Sequence, residues 1–118
     1  MTGLTTHVLD TARGCPAAGM RVELSRLDPS SGERQEIKAV RTNQNGRTDT
    51  PLLAADELSP GVYELVFDVG EYFDGAAGVP DPPFLGRVPV RFGVAEPSAH
   101  YHVPLLASPW SYSTYRGS

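Results

Sequence analysis

The residues best suited to acid–base chemistry are the three histidines, His7, His100 and His102. His100 and His102 lie two apart in a strand-like segment, so they point to the same face about 6.6 Å apart. Two imidazoles on one face can bind zinc, and His7 from another strand would complete a three-histidine site. A neutral imidazole can instead take a proton, without a metal, from a water that attacks a carbonyl. Histidines that only cap a solvated strand edge are the third interpretation, and the spacing leaves all three open.

Arg47 is the candidate for binding an anionic substrate. It directly follows Asn45-Gly46, a dipeptide typical of tight turns, which would present its side chain at the end of a strand. A guanidinium binds a planar anion through two parallel hydrogen bonds and stabilises negative charge that builds on oxygen. The chain has nine arginines and one lysine, so an ordinary surface position is the competing explanation for Arg47.

The end of the sequence is unusual because a strand-like segment, 111–116, runs almost to Ser118. Chain ends are normally mobile, so we expect these residues to pack against the rest of the protein. Tyr101, Tyr112 and Tyr115, three of the five tyrosines, lie in this part of the chain. They indicate an aromatic core or pocket.

Short strands separated by turns position these residues. Strands are predicted at 4–10, 21–27, 35–43, 62–68, 84–94, 100–107 and 111–116, with a short extended piece at 48–53. The one predicted helix, of about two turns, covers Glu71 to Ala77. Pro89 places part of its strand at an edge or bulge. Seven to eight strands with one short helix predict an all-β fold, an antiparallel β-sandwich.

Length and composition limit the possible functions. A chain of 118 residues with 40% hydrophobic and 20% charged residues predicts one globular domain, 1–118. The net charge of −4, without a basic run, argues against nucleic acid or an anionic membrane as a partner. No apolar segment reaches the roughly 20 residues that a membrane span needs, and no signal peptide is recognisable. With Cys15 as the only cysteine, we expect a cytoplasmic protein without disulfides.

Three segments together resemble the 5-hydroxyisourate hydrolase family, the transthyretin-related proteins of purine catabolism. They are Leu4-Thr5-Thr6-His7-Val8-Leu9-Asp10, Thr42-Asn43-Gln44-Asn45-Gly46-Arg47, and His100-Tyr101-His102-Val103-Pro104-Leu105-Leu106, which continues through Ser108-Pro109 to Tyr115-Arg116-Gly117-Ser118. The resemblance spans essentially the whole chain and implies a transthyretin-like fold. It also implies hydrolysis of a cyclic amide of 5-hydroxyisourate to 2-oxo-4-hydroxy-4-carboxy-5-ureidoimidazoline, with no cofactor and no metal.

The resemblance further implies residue roles and an assembly. The residues that it places in the catalytic site are His7, Arg47, His102 and Ser118. Those that it implies for substrate binding or for positioning the tail are Arg47, Tyr115 and Arg116. The resemblance implies a lesser contribution from His100. It also implies a homotetramer, a dimer of dimers with the active sites in a channel between the dimers. The alternative is a transthyretin-like carrier of a small hydrophobic ligand, which would have no use for two histidines and an arginine at one place.

Overall fold

The structure, a computed structural model, describes residues 3–118 as two four-stranded sheets with a hydrophobic core between them. The strands are β1 (Gly3–Asp10), β2 (Cys15–Pro16), β3 (Arg21–Leu27), β4 (Arg34–Arg41), β5 (Gly61–Asp68), β6 (Arg87–Val94), β7 (His100–Ala107) and β8 (Tyr112–Thr114). The first sheet has the order β2-β1-β7-β8 and the second β4-β3-β5-β6. The predicted β-sandwich is confirmed, with β6 and its Pro89 at a sheet edge as expected.

Each strand presents one side to the core and the other outward. Leu4 and Val8 of β1 and Leu65 of β5 are fully buried, whereas Thr5 and His7 between them are half-buried on the outer side. Burial of each large aliphatic side chain stabilises the fold by about 1.5–3 kcal/mol. The core therefore fixes which side of β1 carries the histidine.

The pairing of β1 with β7 departs from the antiparallel prediction. These two strands run parallel, with Thr5 opposite His102 and His7 opposite Pro104, whereas the other named strand pairs are antiparallel. The whole second sheet lies between β1 and β7 in the chain, so no hairpin turn dictates their direction. The parallel register is what brings the start of the chain beside its last long strand.

The helix is shorter and begins earlier than predicted. Helix α1 spans Val69–Tyr72, not Glu71 to Ala77, because β5 runs directly into it. The Asp68 side chain accepts a hydrogen bond from the Glu71 amide at 3.3 Å and caps the first turn. The backbone then leaves the helix and reaches the left-handed region at Gly75, with φ of +82°.

The helices within residues 3–118 are α1 and the 3₁₀ turn at Ala55–Glu57. Neither is long and apolar enough to cross a bilayer.

The predicted extended piece at 48–53 forms a loop that is tied to β1. Its contribution to the first sheet is one antiparallel bridge between Leu53 and Leu4. The Leu4 amide donates to the Leu53 carbonyl at 2.9 Å, and the Leu52 amide donates to the Leu4 carbonyl at 2.8 Å. This attachment holds the loop next to the outer face of the first sheet.

Candidate active site

A cavity of about 380 Å³ opens on the outer face of the first sheet. Its walls come from β1, β7, the loop after Arg47 and the last residue of the chain. The side chains that line it include Thr5, Arg47, Asp49, His100, His102 and Ser118. A cavity of this size and polarity suits a small polar molecule.

Two imidazoles of β7 and one hydroxyl of β1 meet at the base of this cavity. The rings of His100 and His102 lie on one face of the strand, as their spacing predicts, with their centres 6.1 Å apart. The Thr5 hydroxyl oxygen is 2.8 Å from Nδ1 of His102 and 2.9 Å from Nε2 of His100. The remaining ring nitrogen of His102, Nε2, is therefore the one available to a ligand.

His7 lies on the same face of the first sheet as the cavity but outside the set of residues that line it. It follows Thr5 by two residues on β1, and the parallel register puts it on the same face as His102, one diagonal step away. It is half-buried, and its charge contributes to lowering the pKa of His102. The structure thus brings the two predicted catalytic histidines to adjacent positions of neighbouring strands.

Arg47 is delivered to the site by a tight turn that docks on β1. The Asn43 side-chain oxygen accepts from the amides of Asn45 at 2.9 Å and Arg47 at 3.2 Å, which closes the turn. The Gly46 carbonyl accepts from the Val8 amide at 2.8 Å. Gly46 has a φ of +74°, and any side chain there would overlap the Val8 carbonyl, so only glycine fits. The predicted turn is confirmed and sets Arg47 beside His7.

The environment favours the neutral forms of His7 and His102. Burial lowers the pKa of His7, the positive charge of Arg47 lowers it further, and a main-chain hydrogen bond with Asn45 acts in the opposite direction. Burial also lowers the pKa of His102, followed by the charges of Arg47, His100 and His7. A neutral imidazole at neutral pH is able to accept a proton.

The last residues pack against the rest of the protein, as the strand-like end of the sequence predicts, and the residue that they contact is His102. The Gly117 amide donates to the His102 carbonyl at 2.8 Å, and a Cβ on Gly117 would lie 2.5 Å from Cδ2 of the His102 ring. The Thr114 hydroxyl donates to the Pro104 carbonyl at 2.7 Å. These contacts place Ser118 in the cavity wall.

Tyr115 and Arg116 line a different cavity, of about 370 Å³, between the edges of the two sheets. The Arg116 guanidinium carbon lies 4.3 Å from the centre of the Tyr101 ring, whose hydroxyl accepts from the Ala95 and Glu96 amides at 3.1 and 3.0 Å. Within one chain the structure therefore joins Arg47, His102 and Ser118, with His7 beside them, but not Tyr115 or Arg116. Their contact with substrate stays a prediction.

Thr5 is the site residue that sequence reasoning missed. The signal available was its position two residues before His7, which places both on one face of a strand.

Among residues 3–118, no three His, Cys, Asp or Glu side chains are grouped so that they could hold a metal ion. The Cys15 thiol is free and exposed on β2.

The fold and the site define a transthyretin-like β-sandwich with a histidine–arginine site on the outer face of one sheet. The model of the HIUase/Transthyretin family matches residues 4–117. The chain therefore belongs to the HIUase/Transthyretin family, which confirms the family predicted from the sequence.

Relatives and solved structures refine this placement. The 5-hydroxyisourate hydrolase of Ralstonia nicotianae is 58% identical over the full length of both chains. That of Deinococcus radiodurans is 56% identical over 98% of this chain and 96% of its own. The crystal structure of transthyretin from Sparus aurata has a TM-score of 0.86 and 26% identity, covering 99% of this chain and 97% of that one. The sequence identity to these two hydrolases, 56% and 58%, is thus about twice the 26% identity to this transthyretin, although the fold is shared.

Proposed function

We propose that this chain hydrolyses 5-hydroxyisourate in the cavity between β1, β7, the Arg47 turn and the last residues. It is a hydrolase of purine catabolism that acts on a small molecule, as its relatives' names indicate. The observation that carries the site assignment is the meeting of two neutral imidazoles with one guanidinium. The residues proposed as catalytic are His7, Arg47, His102 and Ser118.

The reaction begins with activation of a water molecule. Because Nδ1 of His102 is engaged by Thr5, Nε2 takes the proton as the water oxygen attacks the carbonyl carbon of the cyclic amide. The bond from that carbon to the ring nitrogen then breaks. The departing nitrogen receives the proton back from the imidazolium, so His102 returns neutral to the next cycle.

Arg47 binds the substrate and stabilises the charge that develops on it. A guanidinium has five N–H donors and no acceptor, so it matches a planar anionic substrate and the oxygen that becomes negative during attack. Its charge also keeps His7 and His102 neutral. Arg47 thus supports both the binding step and the proton transfer.

His7 and Ser118 complete the proposed site. His7 is a second neutral imidazole, able to orient the water that His102 deprotonates. Ser118 lies in the cavity wall, where its hydroxyl is positioned to hydrogen-bond substrate. Tyr115 and Arg116 position this tail through their packing at the neighbouring cavity.

The assembly that we infer is a homotetramer of single-domain chains, 1–118, arranged as a dimer of dimers. Strand β8 is an edge strand, and Trp110, Tyr112 and Tyr115 around it are exposed aromatic residues. Exposed edges and aromatic surface favour association with another copy. We also infer a cytoplasmic location, since the free, exposed Cys15 thiol fits a reducing compartment.

A carrier of a hydrophobic ligand is the alternative function. Such a carrier needs predominantly apolar walls, whereas the side chains around this cavity are largely hydroxyls, imidazoles and a guanidinium. A carrier would also bind its ligand without turning it over. Turnover therefore separates the two functions directly.

The test adds purified protein to freshly oxidised urate and follows the ultraviolet signal of 5-hydroxyisourate. The wild type is expected to accelerate the decay over the spontaneous reaction. Loss of a general base or of an oxyanion contact costs about 10²–10³-fold in rate, so we expect losses of this size in His102→Asn and Arg47→Ala. Chelator treatment should leave the wild-type rate unchanged, because the proposed chemistry uses no metal.

The matched control is Arg41→Ala. Arg41 is an exposed arginine that forms an ion pair with Glu71 at 2.7 Å and is not among the residues that line the proposed site, so its loss should leave turnover unchanged. Equal rates for wild type, His102→Asn and Arg47→Ala would overturn the proposed site. A wild type that binds an apolar ligand but does not accelerate the decay would favour the carrier.

A further inference from the structure

Thr5 occupies the position between the two imidazoles of β7. Its hydroxyl oxygen is within hydrogen-bond distance of both rings, at 2.8 Å from His102 Nδ1 and 2.9 Å from His100 Nε2. Both contacts span the parallel β1–β7 register, in which Thr5 is directly opposite His102. The hydroxyl is therefore held in place by the backbone of two strands.

A threonine hydroxyl has one proton and two lone pairs, so it cannot donate to both rings. If the Thr5 proton is used within this set, either His102 Nδ1 donates to Thr5 and Thr5 donates to His100 Nε2, or the chain of donors runs in the reverse direction. If both rings donate to Thr5, His102 again carries its proton on Nδ1. The two directions give His102 opposite tautomers. In the first, Nε2 carries a lone pair; in the second, Nε2 carries the proton and cannot accept another.

The charge beside His102 selects the first direction. Arg47 lines the same cavity, and a guanidinium presents only donors. An Nε2 lone pair turned toward this cation is electrostatically favoured, whereas an N–H dipole turned toward it is opposed. The proton of neutral His102 therefore belongs on Nδ1, facing Thr5.

We propose that Thr5 is a positioning residue: its hydroxyl accepts the Nδ1 proton of His102 and donates its own proton to Nε2 of His100, which leaves Nε2 of His102 unprotonated toward the cavity. This inference rests on the proposed function of His102 as the base. It assigns His100 a role as the acceptor that orients the Thr5 hydroxyl. The pair acts on the reaction through His102.

Other charged and titratable groups face His102 from each neighbouring element. They are His7 from β1, His100 from its own strand and Arg47 from the loop after β4, whose charges all lower the pKa of His102. Asp49 and Ser118 line the same cavity. The Asp49 carboxylate accepts from the Asn43 amide group at 3.1 Å. Thr5 adds no charge to this set, so its removal changes the tautomer of His102 without changing the net charge around the ring.

The experiment combines nuclear magnetic resonance with kinetics on the full chain. Histidine labelled with ¹⁵N reports directly which ring nitrogen carries the proton. We expect neutral wild-type His102 to be protonated on Nδ1, and Thr5→Val to give a mixture of both tautomers. The same variant should lower kcat/KM about tenfold to a hundredfold, mostly through kcat. Thr5→Ser, which restores the hydroxyl, should recover both the tautomer and most of the rate.

Thr11→Val is the matched control for loss of a threonine hydroxyl. Thr11 directly follows β1, and its hydroxyl donates to the Ala107 carbonyl of β7 at 3.1 Å. This contact lies at the opposite end of the strand pair from Thr5. Its variant should keep the His102 tautomer and the pH profile of kcat/KM, even where it lowers the melting temperature. His100→Ala should shift the tautomer in the same direction as Thr5→Val, by a smaller amount.

The inference is overturned if wild-type His102 is protonated on Nε2, or if Thr5→Val leaves its tautomer and the rate unchanged. The proposed function fails separately. A protein that shows the Nδ1 tautomer and its loss in Thr5→Val, but does not hydrolyse 5-hydroxyisourate, would retain the hydrogen-bond assignment and reject the catalytic one.

Discussion

The outer faces of the two sheets use arginine in opposite ways. On the second sheet, Glu23 and Glu64 are buried, with 8% and 4% of their surfaces exposed, and each carboxylate lies between two arginines. On the first sheet, Arg47 is exposed and takes part in no ion pair with the residues from 3 to 118. The other residues that line its cavity carry mostly imidazoles and hydroxyls, and the one aspartate there, Asp49, is hydrogen-bonded to Asn43.

Each buried carboxylate of the second sheet is held by two arginines. Glu23 Oε2 accepts from Arg21 and Arg87, both at 3.0 Å, and Glu64 accepts from Arg34 at 2.9 Å and Arg91 at 3.2 Å. Burial alone would raise the pKa of Glu23, but the hydrogen bonds and charges of the two arginines outweigh it and lower the pKa. These charges serve the stability of the fold.

The contrast shows what turns an arginine into a functional group. An arginine opposite a carboxylate is neutralised locally and acts on stability. Arg47 instead projects its charge onto two imidazoles, lowers their pKa values and keeps its donors for a ligand. The presence or absence of a carboxylate partner, rather than the residue type, separates the two faces.

The largest effect that this comparison predicts is that of removing the Arg47 charge. Arg47→Met should lower kcat/KM about 100-fold and let the pKa values of His7 and His102 rise. The base must be neutral, so activity is lost as the pH falls through its pKa. A higher pKa moves this loss to higher pH, and the acid limb of the profile of kcat/KM against pH should shift upward.

Arg47→Lys separates the charge from the two-pronged contact. Lysine keeps the positive charge but lacks the planar fork, so the acid limb should stay near its wild-type position while kcat/KM falls about tenfold. An acid limb in Arg47→Met that stays in place or moves to lower pH would contradict the electrostatic role of Arg47.

The second prediction applies the same kind of change to the other face. Glu23→Gln should lower the free energy of unfolding by about 1–2 kcal/mol, since it removes the negative charge that both arginines contact while the arginines remain partly solvated. It should leave kcat/KM unchanged. Chemical denaturation at several pH values, together with the activity assay, checks both parts.

The pH dependence of this stability has a definite sign. The folded state lowers the pKa of Glu23, so its contribution is complete above the pKa of the unfolded chain, about 4.3. This contribution is lost as the pH falls through the pKa of Glu23 in the folded state. The difference in free energy of unfolding between wild type and Glu23→Gln should disappear there. Glu36→Gln, an exposed change on β4, should stay within about 0.5 kcal/mol of wild type at every pH. If this difference between wild type and Glu23→Gln instead increased at acidic pH, the ion pairs of Glu23 would not stabilise the fold in the way described.

Local patterns predicted the parts of the site that depend on neighbouring residues. His100 and His102 share a face because strand geometry alternates every residue, and Asn45-Gly46 marks the turn that carries Arg47. The ends of α1 were missed by a few residues, because a single capping side chain, Asp68, fixes where so short a helix begins.

Long-range pairing is what the sequence did not predict. The contact of Thr5 with His102 joins residues 97 positions apart in sequence, and it depends on β1 and β7 being parallel. No alternation or turn signal specifies the partner of a strand so far along the chain. The resemblance to the family predicted His7, Arg47, His102 and Ser118 as site residues, but it did not predict the Thr5 hydroxyl between the imidazoles.

The smallest predicted effect concerns the contact between the tail and His102. A Cβ on Gly117 would lie 2.5 Å from His102 Cδ2 and 3.2 Å from Cγ, so Gly117→Ala forces the ring or the tail to move by a few tenths of an ångström. Proton transfer depends on such distances, and we expect kcat/KM to fall about three- to tenfold with little change in melting temperature.

Gly93→Ala is the control for the Gly117 change on the second sheet. A Cβ on Gly93, in β6, meets nothing within 4 Å, so the same substitution should leave kcat/KM at its wild-type value. Equal rates in Gly117→Ala and wild type would show that the tail does not fix the position of the ring. A large loss of melting temperature in Gly117→Ala would instead identify the tail contact as a stability element, like the ion pairs of the opposite face.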